Sequence, residues 1–362
     1  MDVTTQPHLV GWELTRACQL RCRHCRAQAI TERHGDELSL EQIAGVLDHM
    51  AAAFSHPPIL IFTGGDPLER PDLPDIIAAA RERGFLVALA PSATPKLTPQ
   101  VVREWAAIGV HAISLSLDGA TAQVHDRFRG VRGTFDRTLA LAHAVVESGV
   151  NLQINTSVCM QTVRDLAPIG DMVEELGVSS WEVFFVVPTG RARTAAWPLG
   201  PESQELALHW LVGYRRRAAF RVTAVGAPQL WRIVHQTRAD GDAHRRPAIR
   251  DGQGFAFIDH VGNVFPSGYL PLAAGNVLET DFAGIYREAP LFQALRDPEK
   301  LRGKCHICPF RFVCGGSRAR AYAVTGDPLA QDPACPYIPP PLETPPPSPA
   351  VDAAPAPVGP LG

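Results

Sequence analysis

From Leu9 to Tyr214, short apolar runs alternate with amphipathic segments. Leu9 to Leu14, Pro58 to Phe62, Phe85 to Ala90, His111 to Leu117, Asn151 to Val158 and Trp181 to Val187 read as strands. Leu38 to Phe54, Leu73 to Arg83, Pro99 to Ile108, Phe135 to Glu147, Leu166 to Leu176 and Glu202 to Tyr214 read as helices. A continuous apolar run such as Pro58-Ile59-Leu60-Ile61-Phe62 suits a strand buried on both faces of a parallel sheet. Ser39, with Glu41 close behind, suits a helix start. Six strand–helix units predict an α/β fold built on parallel strands. Further on, Phe255 to Asp259, His260-Val261-Gly262-Asn263 and Val264-Phe265 predict a β-hairpin. Pro290 to Arg296 predicts a short helix, with its proline tolerated in the first turn. Ligands of such sheets bind at the carboxyl ends of the strands, so the residues after each run are the first candidates for chemistry.

The first of these places holds Cys18, Cys22 and Cys25, spaced Cys-x3-Cys-x2-Cys. Three thiolates on one loop can hold three irons of a cubane cluster and leave the fourth iron open for chemistry. Zinc, with His24 as a fourth ligand, is the alternative on spacing alone. Arg21 and Arg23 lie among the thiols and favour the deprotonated form. The second place holds Thr63-Gly64-Gly65-Asp66-Pro67, where adjacent glycines allow close backbone approach to a ligand. The fourth ends in Ser114-Leu115-Ser116-Leu117-Asp118-Gly119. Alternation puts Ser114, Ser116 and Asp118 on one face. A hydroxyl and a carboxylate there suit a ribose diol, and a plain Asp-Gly turn is the other reading. Cys159, at the end of the fifth strand, reads as a core thiol.

Cys18, Cys22 and Cys25, with a ring residue (His24) before the last cysteine, resemble the radical S-adenosylmethionine (SAM) signature. Gly64-Gly65-Asp66-Pro67 resembles that superfamily's Gly-Gly-Glu-Pro motif, with an acid one methylene shorter. The resemblance implies a partial (β/α)6 TIM-like barrel over residues 8–218. It implies a catalytic [4Fe-4S] cluster on the three cysteines and SAM on its open iron. Electron transfer into SAM would release a 5′-deoxyadenosyl radical that abstracts hydrogen from substrate. By motif position, Gly64, Gly65 and Asp66 bind the methionyl end, and Ser92 and Thr94 supply hydroxyls. Ser116 and Asp118 lie near the ribose, Arg129 pairs with the SAM carboxylate and Asn155 contacts the nucleoside. A one-electron donor such as flavodoxin or ferredoxin is implied.

A second cysteine group follows the hairpin. Cys305, Cys308 and Cys314 are spaced Cys-x2-Cys-x5-Cys, and twenty residues separate Cys314 from Cys335. Four thiolates close a zinc site or a cubane, and spacing does not choose between them. Hairpin, helix and cysteines resemble the SPASM or Twitch extension of peptide- and cofactor-maturing radical SAM enzymes. That implies a small cysteine-rich module over 255–337 holding one auxiliary [4Fe-4S] cluster, joined to the barrel by a connecting segment, 219–254. Ser267 stands where full SPASM domains carry another cysteine. Cys335 is preferred to Cys159 as the fourth ligand. The resemblance leaves the substrate open between a peptide or cofactor precursor and a haem-type tetrapyrrole. A tetrapyrrole bears several carboxylates, which would give the basic stretch from Arg215 to Arg250 a purpose; the plainer reading of such a stretch is a solvated face. Peptide maturases often carry a leader-binding domain, and few residues precede Leu9, which would leave leader binding to a separate partner.

Composition narrows the setting. The chain has 362 residues, 46% hydrophobic and 20% charged, with a net charge of −3. That is ordinary for a globular protein and gives no electrostatic case for nucleic acid. No apolar run is long enough for a membrane span. The N-terminus has no signal-peptide pattern, so a cytoplasmic setting is expected. In that setting eight cysteines are not expected to form a disulfide framework. The proline-rich tail, 338–362, is expected to be disordered or polyproline. A non-catalytic zinc protein that binds a partner through its C-terminal cysteines is the rival from another class.

Overall fold

The computed structural model describes residues 2–194, 197–237 and 249–340. Arg238, His244, Arg245 and Arg246 of the basic stretch, and the tail from residue 341, lie outside the described residues. Seven strands run parallel in sequence order: β1 (Leu9–Glu13), β2 (Ile59–Thr63), β3 (Val87–Leu89), β4 (Ala112–Ser116), β5 (Asn151–Val158), β6 (Ser180–Phe185) and β7 (Arg221–Val225). At the other edge β8 (Phe255–Ile258) pairs parallel to β1, and β9 (Asn263–Phe265) and β10 (Gly275–Asn276) continue antiparallel. The sheet therefore begins at β10 and ends at β7, and β7 pairs with none of β8, β9 and β10, which leaves the barrel open on that side.

Helices cross over between the parallel strands. Leu40–Ala53 starts on Ser39, whose side chain accepts from the Gln42 N–H while Gln42 reaches back to the Ser39 N–H. This reciprocal box satisfies two donors that the first turn leaves without partners. In β5, Leu152, Ile154, Thr156 and Val158 are buried under the helices, whereas Gln153 and Asn155 face a central cavity. Trp181 and Tyr214 fill the helix–sheet layer. Their polar tips are satisfied by Thr156 Oγ1 (2.9 Å) and the Gly170 carbonyl (2.7 Å).

Two expectations change. The connecting segment contains a seventh parallel strand, β7, and the helix Gln229–Gln236. As an edge strand, β7 fully buries only Val222 and lacks a continuous apolar run, so its sequence carries little strand signal. The hairpin strand β8 is a member of the barrel sheet rather than part of a detached module: Val10 is aligned with Ala256 and Trp12 with Ile258. Among the described residues no helix is long and apolar enough to cross a membrane.

Candidate active site and cysteine pocket

The loop after β1 is held by backbone bonds on both sides. Cys18 N–H donates to Ile30 O (2.8 Å), and Ile30 N–H donates to Arg16 O (3.0 Å). Gly65 N–H and Asp66 N–H donate to Thr15 O (2.8 Å) and Ala17 O (2.7 Å). A Cβ on Gly64 would lie 2.4 Å from Thr15 O, and one on Gly65 2.3 Å from Ala17 O. The two glycines are thus required by the approach of the cysteine loop itself, while both also line the central cavity.

Cys18, Cys22 and Cys25 form one group on this loop. Leu20 N–H donates to Cys18 Sγ (3.3 Å) and Ala29 N–H to Cys25 Sγ (3.5 Å). Ser92 Oγ lies 3.5 Å from Cys18 Sγ and donates to Gly65 O (3.1 Å). Burial pushes the Cys18 thiol up to about 11. Burial also raises Cys22, with Arg129 opposing it. Arg21 and Arg23, expected to promote ionisation, are not among the main influences on either thiol; Arg23 lies over the Trp197 ring. The cation at the thiols is Arg129, whose Nη1 lies 3.7 Å from Cys22 Sγ.

Asp118 does not reach the cavity. Strand β4 ends at Ser116, and the fully buried Asp118 pairs with Arg129 Nη2 at 2.5 Å and accepts from Ser157 N–H (2.6 Å). Arg129 keeps the carboxyl below its usual range in spite of burial. Ser116 and Asn155, aligned on β4 and β5, do line the cavity. Asp66 is also buried: it caps the turn Pro67–Glu69 through Leu68 N–H (3.2 Å) and accepts from Thr94 Oγ1 (3.0 Å). Burial raises its carboxyl to about 6. His24 stacks on Phe128, with centroids 4.2 Å apart and planes 11° apart, and burial lowers its pKa to about 3, so the ring is neutral. Cys159 packs with Phe128, Val186 and Ala192 and does not line the C-terminal cysteine pocket.

The motif reading missed Arg191, which follows β6. Its Nη1 donates to Cys22 O (3.1 Å), its Nη2 to Ala29 O, and its backbone N–H to Cys25 O (3.0 Å). A Cβ on Gly190 would sit 2.4 Å from Cys25 O. The available signal was a Gly-Arg pair at a strand's carboxyl end. Below the loop, a cavity of about 940 Å³ runs through the barrel interior to the open seam. Its wall includes Glu182, Arg215, Arg221 and Arg250 as well as Gly316 and Ser317 from the C-terminal region.

Cys305, Cys308, Cys314 and Cys335 all line a second, small pocket, with Arg232 and Lys304. All eight cysteines are free thiols. Among the described residues no three His, Cys, Asp or Glu side chains gather closely enough to hold a single metal ion. The C-terminal cysteines border the small pocket, and the N-terminal loop meets the large cavity through Leu20 and Arg26. For the first group the residues fit a cluster: three thiols on one loop, N–H donors aimed at sulfur and an adjoining cavity.

An open parallel barrel with three cysteines after its first strand and Gly-Gly after its second defines a class of enzyme, and the chain belongs to it: the radical SAM superfamily. Residues 12–171 match the family model described as Radical SAM superfamily. An AdoMet-dependent heme synthase of Methanosarcina barkeri (strain Fusaro / DSM 804) is 39% identical over 347 residues, 93% of this chain and 98% of the relative. A PqqA peptide cyclase of Granulibacter bethesdensis (strain ATCC BAA-1260 / CGDNIH1) is 28% identical over 338 residues, 90% of this chain and 86% of the relative. The crystal structure of Streptococcus suis SuiB bound to S-adenosylmethionine superposes with a TM-score of 0.74 at 17% identity, covering 92% of this chain and 78% of that one. The partial-barrel fold and the cofactors of the family, a [4Fe-4S] cluster and SAM, follow. The protein is an enzyme, and the non-catalytic zinc reading falls.

Proposed function

We propose that the protein modifies a haem-type tetrapyrrole, with Cys18, Cys22 and Cys25 holding the catalytic cluster. The observation that carries this reading is the continuous cavity from the cysteine loop to an arginine-bearing seam, joined to 39% identity with a heme synthase over nearly the whole chain. A volume of about 940 Å³ is at the upper end for small-molecule sites, as a macrocycle beside SAM requires. Held by Cys18, Cys22 and Cys25, a [4Fe-4S] cluster with SAM beside it would supply the reductive, radical chemistry for hydrogen abstraction from substrate.

The chain's own groups divide the work. Gly64 and Gly65 bring backbone next to the thiols and support binding of the methionyl end. Ser92, Ser116 and Asn155 offer polar groups on the same wall for the ribose and nucleoside. Asp66 acts through position, holding the Ser92–Thr94 turn. Asp118 fixes Arg129, and Arg129 holds positive charge against Cys22. Cluster binding releases the thiol protons that burial retains, so loading is favoured at higher pH. Cys305, Cys308, Cys314 and Cys335 hold an auxiliary [4Fe-4S] cluster, and an external one-electron donor such as flavodoxin or ferredoxin reduces the catalytic one. Four thiols around one pocket can hold a cubane or zinc, and membership of a family that uses [4Fe-4S] clusters supports the cluster.

Anaerobic reconstitution should give about eight irons per chain. Incubation with SAM, reductant and an iron-bound tetrapyrrole bearing propionates should then yield 5′-deoxyadenosine and a tetrapyrrole of changed mass. 5′-Deoxyadenosine formed without tetrapyrrole change, together with modification of a precursor peptide, would favour the peptide reading that the cyclase relative supports.

A further inference from the structure

At each cysteine group a guanidinium nitrogen lies within 4 Å of a sulfur, and the two arginines that supply it differ in their partners. At the N-terminal group it is Arg129, 3.7 Å from Cys22 Sγ. Its charge is offset by Asp118 at 2.5 Å. At the C-terminal group it is Arg318, whose Nη2 lies 3.8 Å from Cys305 Sγ. Its other bonds go to neutral carbonyls: Gly316 O (3.1 Å), Pro328 O (3.1 Å) and Ala330 O (2.8 Å). Among the described residues no carboxylate forms an ion pair with it. Asp332 is close by, but its oxygens accept from Gln229 (2.6 Å), Ser317 N–H (2.7 Å) and Ala334 N–H (3.0 Å).

Backbone donors reach sulfur at both groups, so the arginines make the difference. At the C-terminal group Asp332 N–H donates to Cys305 Sγ (3.4 Å) and Gly316 N–H to Cys314 Sγ (3.4 Å). At the N-terminal group Cys18 and Cys25 receive one each. The added electron makes a cluster more negative, so positive charge and N–H donors at its sulfurs favour the reduced state and raise its potential. Gly316 lines both the cysteine pocket and the large cavity, so its backbone is a wall shared by the two. Its φ is +72°, and a Cβ there would lie 2.5 Å from Arg318 Nη2, so the glycine leaves room for the arginine.

We propose that Arg318 is a positioning residue that sets the redox poise of the enzyme, keeping the C-terminal cluster at a higher reduction potential than the N-terminal one. The couple is the one-electron change of the cluster alone; no bond forms and no proton moves. The inference rests on the reading that Cys305, Cys308, Cys314 and Cys335 hold a cluster.

The test is an electron-paramagnetic-resonance redox titration of the full-length reconstituted chain without SAM. A Cys22→Ala background isolates the C-terminal signal, and Cys308→Ala isolates the N-terminal one. The C-terminal centre should be reduced at the higher potential. Adding Arg318→Gln should shift its oxidised-to-reduced ratio at least tenfold toward oxidised, equivalent to about 59 mV for one electron. Arg318→Lys, which keeps the charge, should shift it less. An unchanged potential in Arg318→Gln at full iron content overturns the proposal. If that variant does not hold iron, the unsubstituted pair of sites decides: a C-terminal potential at or below the N-terminal one overturns it. No iron at the C-terminal cysteines of the otherwise unaltered chain overturns instead the cluster reading beneath it.

Discussion

A methyl group at position 65 would meet two carbonyl oxygens, those of Ala17 at 2.3 Å and Arg16 at 2.5 Å. Both belong to backbone, so neither can swing aside as a flexible side chain would. Gly65→Ala should therefore displace the cysteine loop, lowering iron from about eight to about four per chain while the C-terminal centre persists. Full iron in that variant would show that the contact does not hold the loop. Asp66 carries a pH prediction. Its folded-state pKa of about 6 lies above the unfolded value of 3.8. Below 3.8 both states are protonated and nothing is lost; between these values the unfolded state sheds its proton first, so stability falls as pH rises and levels off above about 6. The loss is at most about 3 kcal/mol. Asp66→Asn should flatten that part of the apo-protein stability curve, measured by denaturant titration against the unsubstituted chain. At Asp118, Asp118→Asn leaves buried Arg129 without its counter-charge, at a cost of about 3–5 kcal/mol in the same measurement.

At the scale of elements, the cysteine loop is a suspended segment, tied by Gly65 and Asp66 after β2 and by Gly190 and Arg191 after β6. Arg191→Ala removes two hydrogen bonds to Cys22 O and Ala29 O. Amide hydrogen exchange should then speed up across residues 18–30, while protection in β5 stays as it was. Unaltered exchange in the loop would mean that the glycine contacts suffice. The same loop shows what was legible in the sequence. Strands β1 and β2 announced themselves as apolar runs, and β5 by alternation, its Leu152, Ile154 and Val158 lying under the helices and its Gln153 and Asn155 facing the cavity. The cysteines announced themselves because thiol spacing is a local property. Asp118 did not, because alternation ends where β4 ends, and the next residues turn under the sheet. The roles of Arg129, Arg191 and Arg318 depend on contacts across long separations, which periodicity cannot show. Helix Ala122–Arg129 carries no clear periodic signal, since its mixed charged surface hides the two residues, His125 and Phe128, that it buries.

At the scale of the molecule, the C-terminal region is built into the barrel. Strand β8 completes the sheet beside β1, and the buried Arg320 donates to Gly226 O (2.8 Å) after β7 and to Phe185 O (3.3 Å) at the end of β6. Gln229 and Gln204, from the helices flanking β7, reach Asp332 (2.6 Å) and Ala334 O (3.5 Å) near Cys335. A boundary at residue 218 therefore cuts through a shared core rather than a linker. A chain ending there would expose the edges of β1 and β6 together and leave Val10, Trp12 and Trp181, all fully buried in the whole protein, without their covering strands. Open, apolar strand edges pair with other chains, so the fragment should aggregate or lack a cooperative unfolding transition. The milder counterpart is Arg320→Met in the full chain, which leaves two buried carbonyls without their donors and should cost about 2–4 kcal/mol. A 1–218 fragment that stays monomeric and unfolds cooperatively, alongside an Arg320→Met chain of undiminished stability, would show that the barrel stands alone and that the C-terminal cysteines sit on a dispensable attachment. The opposite pair of results would mean that the two cysteine groups are held in fixed relation by one core, with the cavity between them part of the same fold.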